Sequence, residues 1–245
     1  MSTLVTYMTF TVRCKTMLNF PFDPIKHTLD VEEIVMRGDS HRYYRFRYAK
    51  FYGGIATADA VGCNLLCAYC WNYSRNLDPS NAGAFYSPEE VAARLKAISE
   101  KHGCDQYRIS GAEPILGTAS VAHLADFIRR IDGSFIIETN GLMLGYYKSL
   151  IDALSPLPVH VRLCIKAHSS LDFEKITGAR AEFYSYQIKA AENLRDARIN
   201  HSIAVMSPFV DPSRLPVPVD EVEGLILYKS TEGNLKRRGF ELGWL

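Results

Sequence analysis

From residue 54 onward, short apolar runs rich in β-formers alternate with amphipathic stretches of helical period, and this alternation restricts the chain to βα units around a mainly parallel sheet. Six strands are predicted, over Gly54 to Val61, Gln106 to Ser110, Ser134 to Glu138, Val159 to Ile165, His201 to Met206 and Gly224 to Tyr228. Ser87-Pro-Glu-Glu90 reads as a helix start, with Ser87 as N-cap, Pro88 at the first position and acidic residues in the first turn, and that helix should run to Gly103. Phe183 to Arg198 predicts another helix. Ser207 to Val219 holds four prolines, so no helix can run through it and a loop is expected.

Residues 1–53 differ in character. Leu4 to Val12 alternates like a strand, Asp30 to Met36 reads as a short helix, and His41 to Tyr52 is dense in aromatic and basic residues. Such aromatic content argues against disorder. The expected organisation is an N-terminal extension over 1–53, not an independent domain, packed on a core domain over 54–245. At 47 % hydrophobic, 245 residues suffice for one full core. A net charge of +1 gives no global attraction to nucleic acid or membrane, and nowhere do 18 uncharged apolar residues occur together. With no secretory pattern at the start and six cysteines too sparse for a disulfide framework, a soluble protein of the reducing cytoplasm, without a membrane partner, is expected.

Three of those cysteines fall in the run Gly62-Cys-Asn-Leu-Leu-Cys-Ala-Tyr-Cys-Trp-Asn72, just after the first predicted strand. The four-then-three spacing lets Cys63, Cys67 and Cys70 converge on one face of an iron–sulfur cluster, and no fourth cysteine follows closely, so one iron stays open for another ligand. The alternative is structural zinc with Cys104 or His102 as fourth ligand, although zinc sites usually pair two Cys-x2-Cys knuckles and only one is present. Trp71 and Asn72 are candidates for contacts that tune a cluster.

Three further motifs end successive strands: Ser110-Gly-Ala-Glu-Pro114, Glu138-Thr-Asn-Gly141 and Val161-Arg-Leu-Cys-Ile-Lys166. A small-residue turn lets backbone carbonyls approach an ammonium, with Glu113 as a charge-assisted partner. Taken singly, Asn-Gly is a plain turn signal and Cys164 a small hydrophobe in a strand.

Together the four runs resemble the radical S-adenosylmethionine (SAM) superfamily, whose cluster loop reads Cys-x3-Cys-x-aromatic-Cys. The pattern is closest to the short activating enzymes of glycyl-radical proteins, which carry Gly-Gly-Glu-Pro, Asp/Glu-Thr-Asn-Gly and a strand ending Asp-Leu-Lys. The resemblance implies a partial (β/α)6 TIM-type barrel, an α/β fold that the six predicted strands match, and two cofactors, a [4Fe-4S] cluster and SAM. It implies that Cys63, Cys67 and Cys70 hold the cluster. Tyr69, Ser110, Gly111, Ala112, Glu113, Glu138, Asn140 and Lys166 would lie against SAM, Lys166 neutralising its carboxylate. Cys164 stands where the family has aspartate, so polar contacts there would be rebuilt, with Arg162 or Glu138 available. The implied reaction is reductive cleavage of SAM to methionine and a 5′-deoxyadenosyl radical, which takes a hydrogen from substrate, the electron coming from a flavodoxin- or ferredoxin-type donor.

For the substrate, a protein or peptide is expected, since no second cysteine cluster follows. RNA is the competing partner, because Arg42, Arg45, Arg47 and Lys50 interleave with Tyr43, Tyr44, Phe46, Tyr48, Phe51 and Tyr52, and Lys236-Arg-Arg238 adds charge. The same residues also read as an amphipathic edge strand. A small metabolite, or a metal-binding scaffold without turnover, completes the alternatives.

Overall fold

The computed structural model describes residues 18–241 and Gly243; the expected strand at Leu4 to Val12 and Cys14 lie outside them. The described residues before 54 form α1 (Pro24–Val35), β1 (Met36–Arg37) and β2 (Ser40–Ala49). Then come β3 (Ile55–Ala60), α2 (Tyr73–Leu77), β4 (Ala84–Tyr86), α3 (Pro88–His102), β5 (Gln106–Ser110), α4 (Thr118–Ile128), β6 (Ser134–Thr139), α5 (Leu142–Tyr146) and α6 (Ser149–Leu154). The last third holds β7 (Val159–Ile165), α7 (Ser170–Thr177), α8 (Tyr184–Asp196), β8 (His201–Ser207), β9 (Glu221–Gly224) and α9 (Lys229–Arg237).

The sheet runs in the order β1-β2-β3-β5-β6-β7-β8-β9, with β4 also paired to β2. Strands β3, β5, β6, β7, β8 and β9 are mutually parallel, and β2 joins antiparallel to β3. Among the described residues the two ends of this path do not pair with each other, so the sheet is an open, partial TIM-type barrel.

Local signals explain most boundaries. Helix α3 forms the expected capping box, Ser87 accepting from Glu90 N while Glu90 accepts from Ser87 N, and it ends on Gly103 in the left-handed region. Helix α1 begins earlier than expected, at Asp23-Pro24, because the Asp23 carboxylate caps Ile25 N (2.9 Å) and Lys26 N (3.0 Å). The sixth strand was expected over 224–228 but lies at Glu221–Gly224. Its register with β8 pairs Gly224 with Ser207, and Pro208 follows, which has no N–H to continue a ladder.

Alternation along the strands separates two faces. Ala56, Ala58 and Ala60, Tyr107 and Ile109, Phe135 and Ile137, and Val161, Leu163 and Ile165 join one core with the helix residues Val91, Leu95, Leu124, Phe127, Ile151 and Leu194. Each fully buried side chain of this size contributes about 1.5–3 kcal/mol. The opposite face lines the barrel interior. Its floor is a small apolar cluster of Ala49, Ile55 and Ile136, and above it stand paired charges. Asp59 accepts from Arg45 (2.6 Å) and Arg47 (2.7 Å), Glu138 from Arg108 (2.8 Å), and Glu221 and Glu223 hold Arg162 at 2.8 and 2.9 Å.

Strand β2 is amphipathic, its basic face turned inward onto Asp59. Tyr43 is 1 % exposed and donates to His123 Nε2 (2.9 Å), because His123 Nδ1 carries the proton donated to the Asp39 carbonyl (2.6 Å). Arg42 reaches the Ala82 carbonyl (3.2 Å) and stacks 4.3 Å over Phe85.

Two histidines make this fold acid-sensitive. The Nε2 atoms of His27 and His41 are buried without a partner among the described residues, and burial pushes their pKa down to about 4 and about 3. They are neutral when folded, whereas the unfolded chain takes up protons near pH 6.5, so stability is full above that value and is lost as pH falls towards 4. Between pH 7 and 5 each should contribute a loss of about 2 kcal/mol, read as a fall in the urea midpoint; equal midpoints at the two pH values would contradict it.

Candidate active site

The four motifs meet at the carboxyl ends of the parallel strands, the edge at which α/β sheets and barrels build sites. The chain leaves β3 through Gly62 at φ +100°, where a Cβ would press on Val31 and Val35 of α1 at 2.9 and 2.8 Å; only glycine fits. The cysteine loop is then pinned to the end of α7 by Leu66 N on the Thr177 carbonyl (3.0 Å) and Ala68 N on the Ile176 carbonyl (2.8 Å). Cys70 N turns back onto the Cys67 carbonyl at 2.9 Å. Cys67 is 7 % exposed, and Cys63 and Cys70 are half-buried. Burial pushes all three thiols up, Cys70 to about 12, so the metal-free loop holds them protonated.

Backbone and side-chain amides tie this loop to β5. The Gly111 carbonyl accepts from Asn72 Nδ2 (2.6 Å) and Asn76 Nδ2 (3.1 Å), and Glu113 N donates to the Gly62 carbonyl (2.9 Å). Asn76 also donates towards Cys70 Sγ at 3.9 Å. Asn72 lies beside the sulfurs as expected, its backbone N–H donating to the Cys70 thiol while its side chain braces Gly111, whereas Trp71 is exposed. Asn76 was not singled out from sequence; an asparagine six residues beyond the last cysteine was its only signal.

Glu113 is a cross-brace. Its Oε1 accepts from Thr139 Oγ1 (2.6 Å) and Ile115 N (3.0 Å), its Oε2 from Asn140 N (2.7 Å). Burial pushes its pKa up to about 7 against the pull of those donors and of Lys166. Asn140 in turn donates to Asn64 Oδ1 (2.8 Å) inside the cysteine loop, and Asn64 Nδ2 is buried without an acceptor among the described residues. Ser110, Gly111 and Ala112 are half-buried at the mouth. Glu138 points elsewhere: Arg108 (2.8 Å) and Tyr52 (2.9 Å) hold its carboxylate on the interior face.

At the end of β7, Lys166 lies among thiols. Burial works against its charge, and Tyr69, Cys164, Cys67 and Cys63 raise its pKa only in their ionised forms, which is the form cysteine takes when it ligates iron. Arg162 Nη1 donates to Cys164 Sγ at 3.4 Å, which supplies the polar contact expected where cysteine replaces aspartate. A water-sized space of about 20 Å³ lies between Tyr69, Cys164, Lys166, Met206 and Glu223. Tyr69 stacks on Phe209 with centroids 4.9 Å apart.

The donor set fits a multi-iron cluster better than a single ion. Cys104 precedes β5 and His102 stacks on Tyr48, which pairs with Ala56 at the start of β3, so both proposed fourth zinc ligands sit at the opposite end of the strands. No group of three His, Cys, Asp or Glu side chains among the described residues converges on one ion. In a cubane each cysteine takes a different iron and the sulfurs stand a cluster face apart.

A family model of the Radical SAM superfamily matches residues 59–215. Among solved structures, the chain is similar to Streptococcus suis SuiB (15 % identity, TM-score 0.53, covering 87 % of this chain and 48 % of that one) and to the same protein bound to S-adenosylmethionine (15 %, 0.52, 87 % and 49 %). It is also similar to TYW1 with a lysine-pyruvate adduct bound (14 % identity, TM-score 0.48, 65 % and 58 %). At these identities the SuiB likeness shows the fold, and the chain spans about half the length of the structures it matches. No curated protein matches the chain in sequence.

Proposed function

The chain belongs to the radical SAM superfamily, which uses a [4Fe-4S] cluster and SAM, and from that premise we propose an enzyme that cleaves SAM reductively and takes hydrogen from a protein or peptide. The observation that carries this reading is one hydrogen-bonded group at the carboxyl ends of the strands: Asn72 and Asn76 tie the cysteine loop to Gly111, Asn64 ties it to Asn140, and Glu113 joins the ends of β5 and β6. When bound, the cluster supplies one electron to the SAM sulfonium, releasing methionine and a 5′-deoxyadenosyl radical.

The residues have separable tasks. Cys63, Cys67 and Cys70 hold the cluster, and Asn76 donates to the Cys70 sulfur, a contact of the kind that tunes reduction potential. Lys166, at the end of β7 beside Tyr69, Cys63 and Cys67, would neutralise the SAM carboxylate. Glu113 already accepts three hydrogen bonds of the roughly four a carboxylate takes, so it mainly fixes the backbone of 113–115 and 139–140, with one position left for the SAM ammonium. Ser110, Gly111, Ala112, Asn140 and Tyr69 would form the remaining wall, and Glu138 would act from the interior face through Arg108.

The barrel interior supports a polar substrate. A closed eight-stranded barrel fills its interior with Val, Ile and Leu, whereas this open one stacks Arg–carboxylate pairs above a small floor. An RNA substrate draws less support. Asp59 engages both Arg45 and Arg47 and cancels one of their two charges, Tyr43 is buried, and Tyr48 is stacked on His102. The motifs favour the activating-enzyme-like branch, with 54–245 as the core domain, 1–53 as its packed extension, and a flavodoxin or ferredoxin as donor. The five described cysteines are unpaired, which suits the cytoplasm.

Substrate class is tested by incubating the reconstituted protein, SAM and dithionite with polypeptide, RNA and metabolite fractions from cells grown in deuterated medium. Deuterium should enter 5′-deoxyadenosine from the polypeptide fraction; label arriving only from RNA or metabolites would overturn the class.

A further inference from the structure

Strand β9 ends the sheet. Among the described residues it pairs only with β8, so one side of its backbone offers N–H and C=O groups to no neighbouring strand. A Cβ added at Gly224 would meet no atom within 4 Å, and Val222, Ile226, Leu227 and Tyr228 are exposed apolar side chains on the strand and on the residues that lead to α9. An unpaired row of backbone donors and acceptors beside apolar side chains is the surface on which an extended polypeptide adds as a further strand, its main chain completing the ladder and its alternate side chains facing either side. The phosphate backbone of RNA has no N–H with which to complete such a ladder.

This edge is also acidic. From Asp220 to Tyr228 the chain carries three carboxylates and no cation. Glu221 and Glu223 are 38 % and 48 % exposed, and the one cation paired with them among the described residues is the buried Arg162, which leaves one carboxylate charge unmatched. Lys166 lines the same small space as Glu223, but it stands beside Tyr69 and the cysteines and is assigned above to the SAM carboxylate. Charge decides which strand can fill the edge. A second copy of the chain pairing antiparallel about Val222 would set each Glu221 opposite the other copy's Glu223, and like charges directly opposite destabilise a strand pair. A strand that carries basic residues on the same face meets opposite charge instead.

We propose that the free edge of β9 is the docking strand for the substrate polypeptide, which adds to the sheet as an extended, basic segment. The inference rests on the polypeptide reading above and narrows it to a basic segment. A strand added here lies about 4.8 Å from β9, with its inward side chains beside Glu221 and Glu223. Glu223 lines the space between Tyr69, Cys164 and Lys166, so the residue seated next to Glu223 is the one brought to the cofactor site.

The test is amide hydrogen exchange of the native protein with a saturating octapeptide of alternating Lys and Val, read on a fragment covering 221–228. The peptide should slow exchange over Glu221 to Gly224 by about 10-fold. The same peptide with Glu in place of Lys, and the Lys peptide with every backbone nitrogen methylated, should each bind about 10-fold more weakly. Exchange left unchanged at β9, or equal binding by either control peptide, would overturn the proposal. So would a β9 already protected without peptide, whose protection is lost on dilution or on deletion of residues 1–17, because the edge then belongs to a second copy or to the chain's own Leu4 to Val12. The deuterium-transfer experiment separates this inference from the reading beneath it. Label arriving from polypeptide with β9 unprotected overturns the docking edge alone, whereas label arriving only from RNA or metabolites overturns the polypeptide class and the inference together.

Discussion

Replacing Cys67 with alanine should reduce 5′-deoxyadenosine formation to background and lower the iron retained after anaerobic reconstitution. Cys67 supplies one of three thiolates, and no described histidine, carboxylate or other cysteine completes a metal-holding group with the remaining two. The fold should survive, since removing one buried sulfur costs about 1 kcal/mol. Cys164→Ala is the control, because that thiol bonds Arg162 in β7 and lies outside the loop. Iron content should be unchanged there. Full iron and full product in the Cys67 variant would contradict the ligand assignment.

Glu113→Ala should damage the protein most after the cysteines, and through stability. It strands three buried donors, Thr139 Oγ1, Ile115 N and Asn140 N, at about 1–3 kcal/mol each. A total of about 3–9 kcal/mol is comparable with the stability of a whole domain. Glu113→Gln keeps one carbonyl acceptor and turns an amide towards one donor, so about 1–3 kcal/mol is expected. Urea unfolding should rank native, Gln and Ala in that order; an alanine variant as stable as the native protein would remove Glu113 as the brace between strand ends.

The cofactor loop was legible because its spacing is local: eight successive positions carry Cys63 to Cys70, and the turn motifs sit where apolar runs stop. Strands Gln106–Ser110 and Val159–Ile165 were legible for a related reason, as unbroken apolar or β-prone runs with helices on one face. The 224–228 run looked equally strand-like, yet a parallel strand extends only as far as its neighbour, and β8 stops at Ser207-Pro208. Partners distant in sequence left no trace. Asn64 with Asn140, Arg108 with Glu138, and Arg162 with Glu221 are 76, 30 and 59 positions apart, and nothing in either residue names the other. Glu113 was read as a carboxylate aimed at cofactor; its three protein donors became visible only when β5 and β6 were side by side. The basic residues of β2 illustrate the converse. Arg45 and Arg47 look like a phosphate-binding stripe until register places Asp59 opposite Arg45.

The central claim is that the three cysteines carry a [4Fe-4S] cluster whose open iron receives SAM. Electron paramagnetic resonance of the reconstituted, dithionite-reduced protein tests it directly, recorded before and after SAM is added. The account predicts a reduced-cluster signal whose g-values shift with SAM and which is absent from the Cys67→Ala variant. A signal that SAM leaves unchanged, or a protein that takes up zinc and shows no cluster signal, would contradict it.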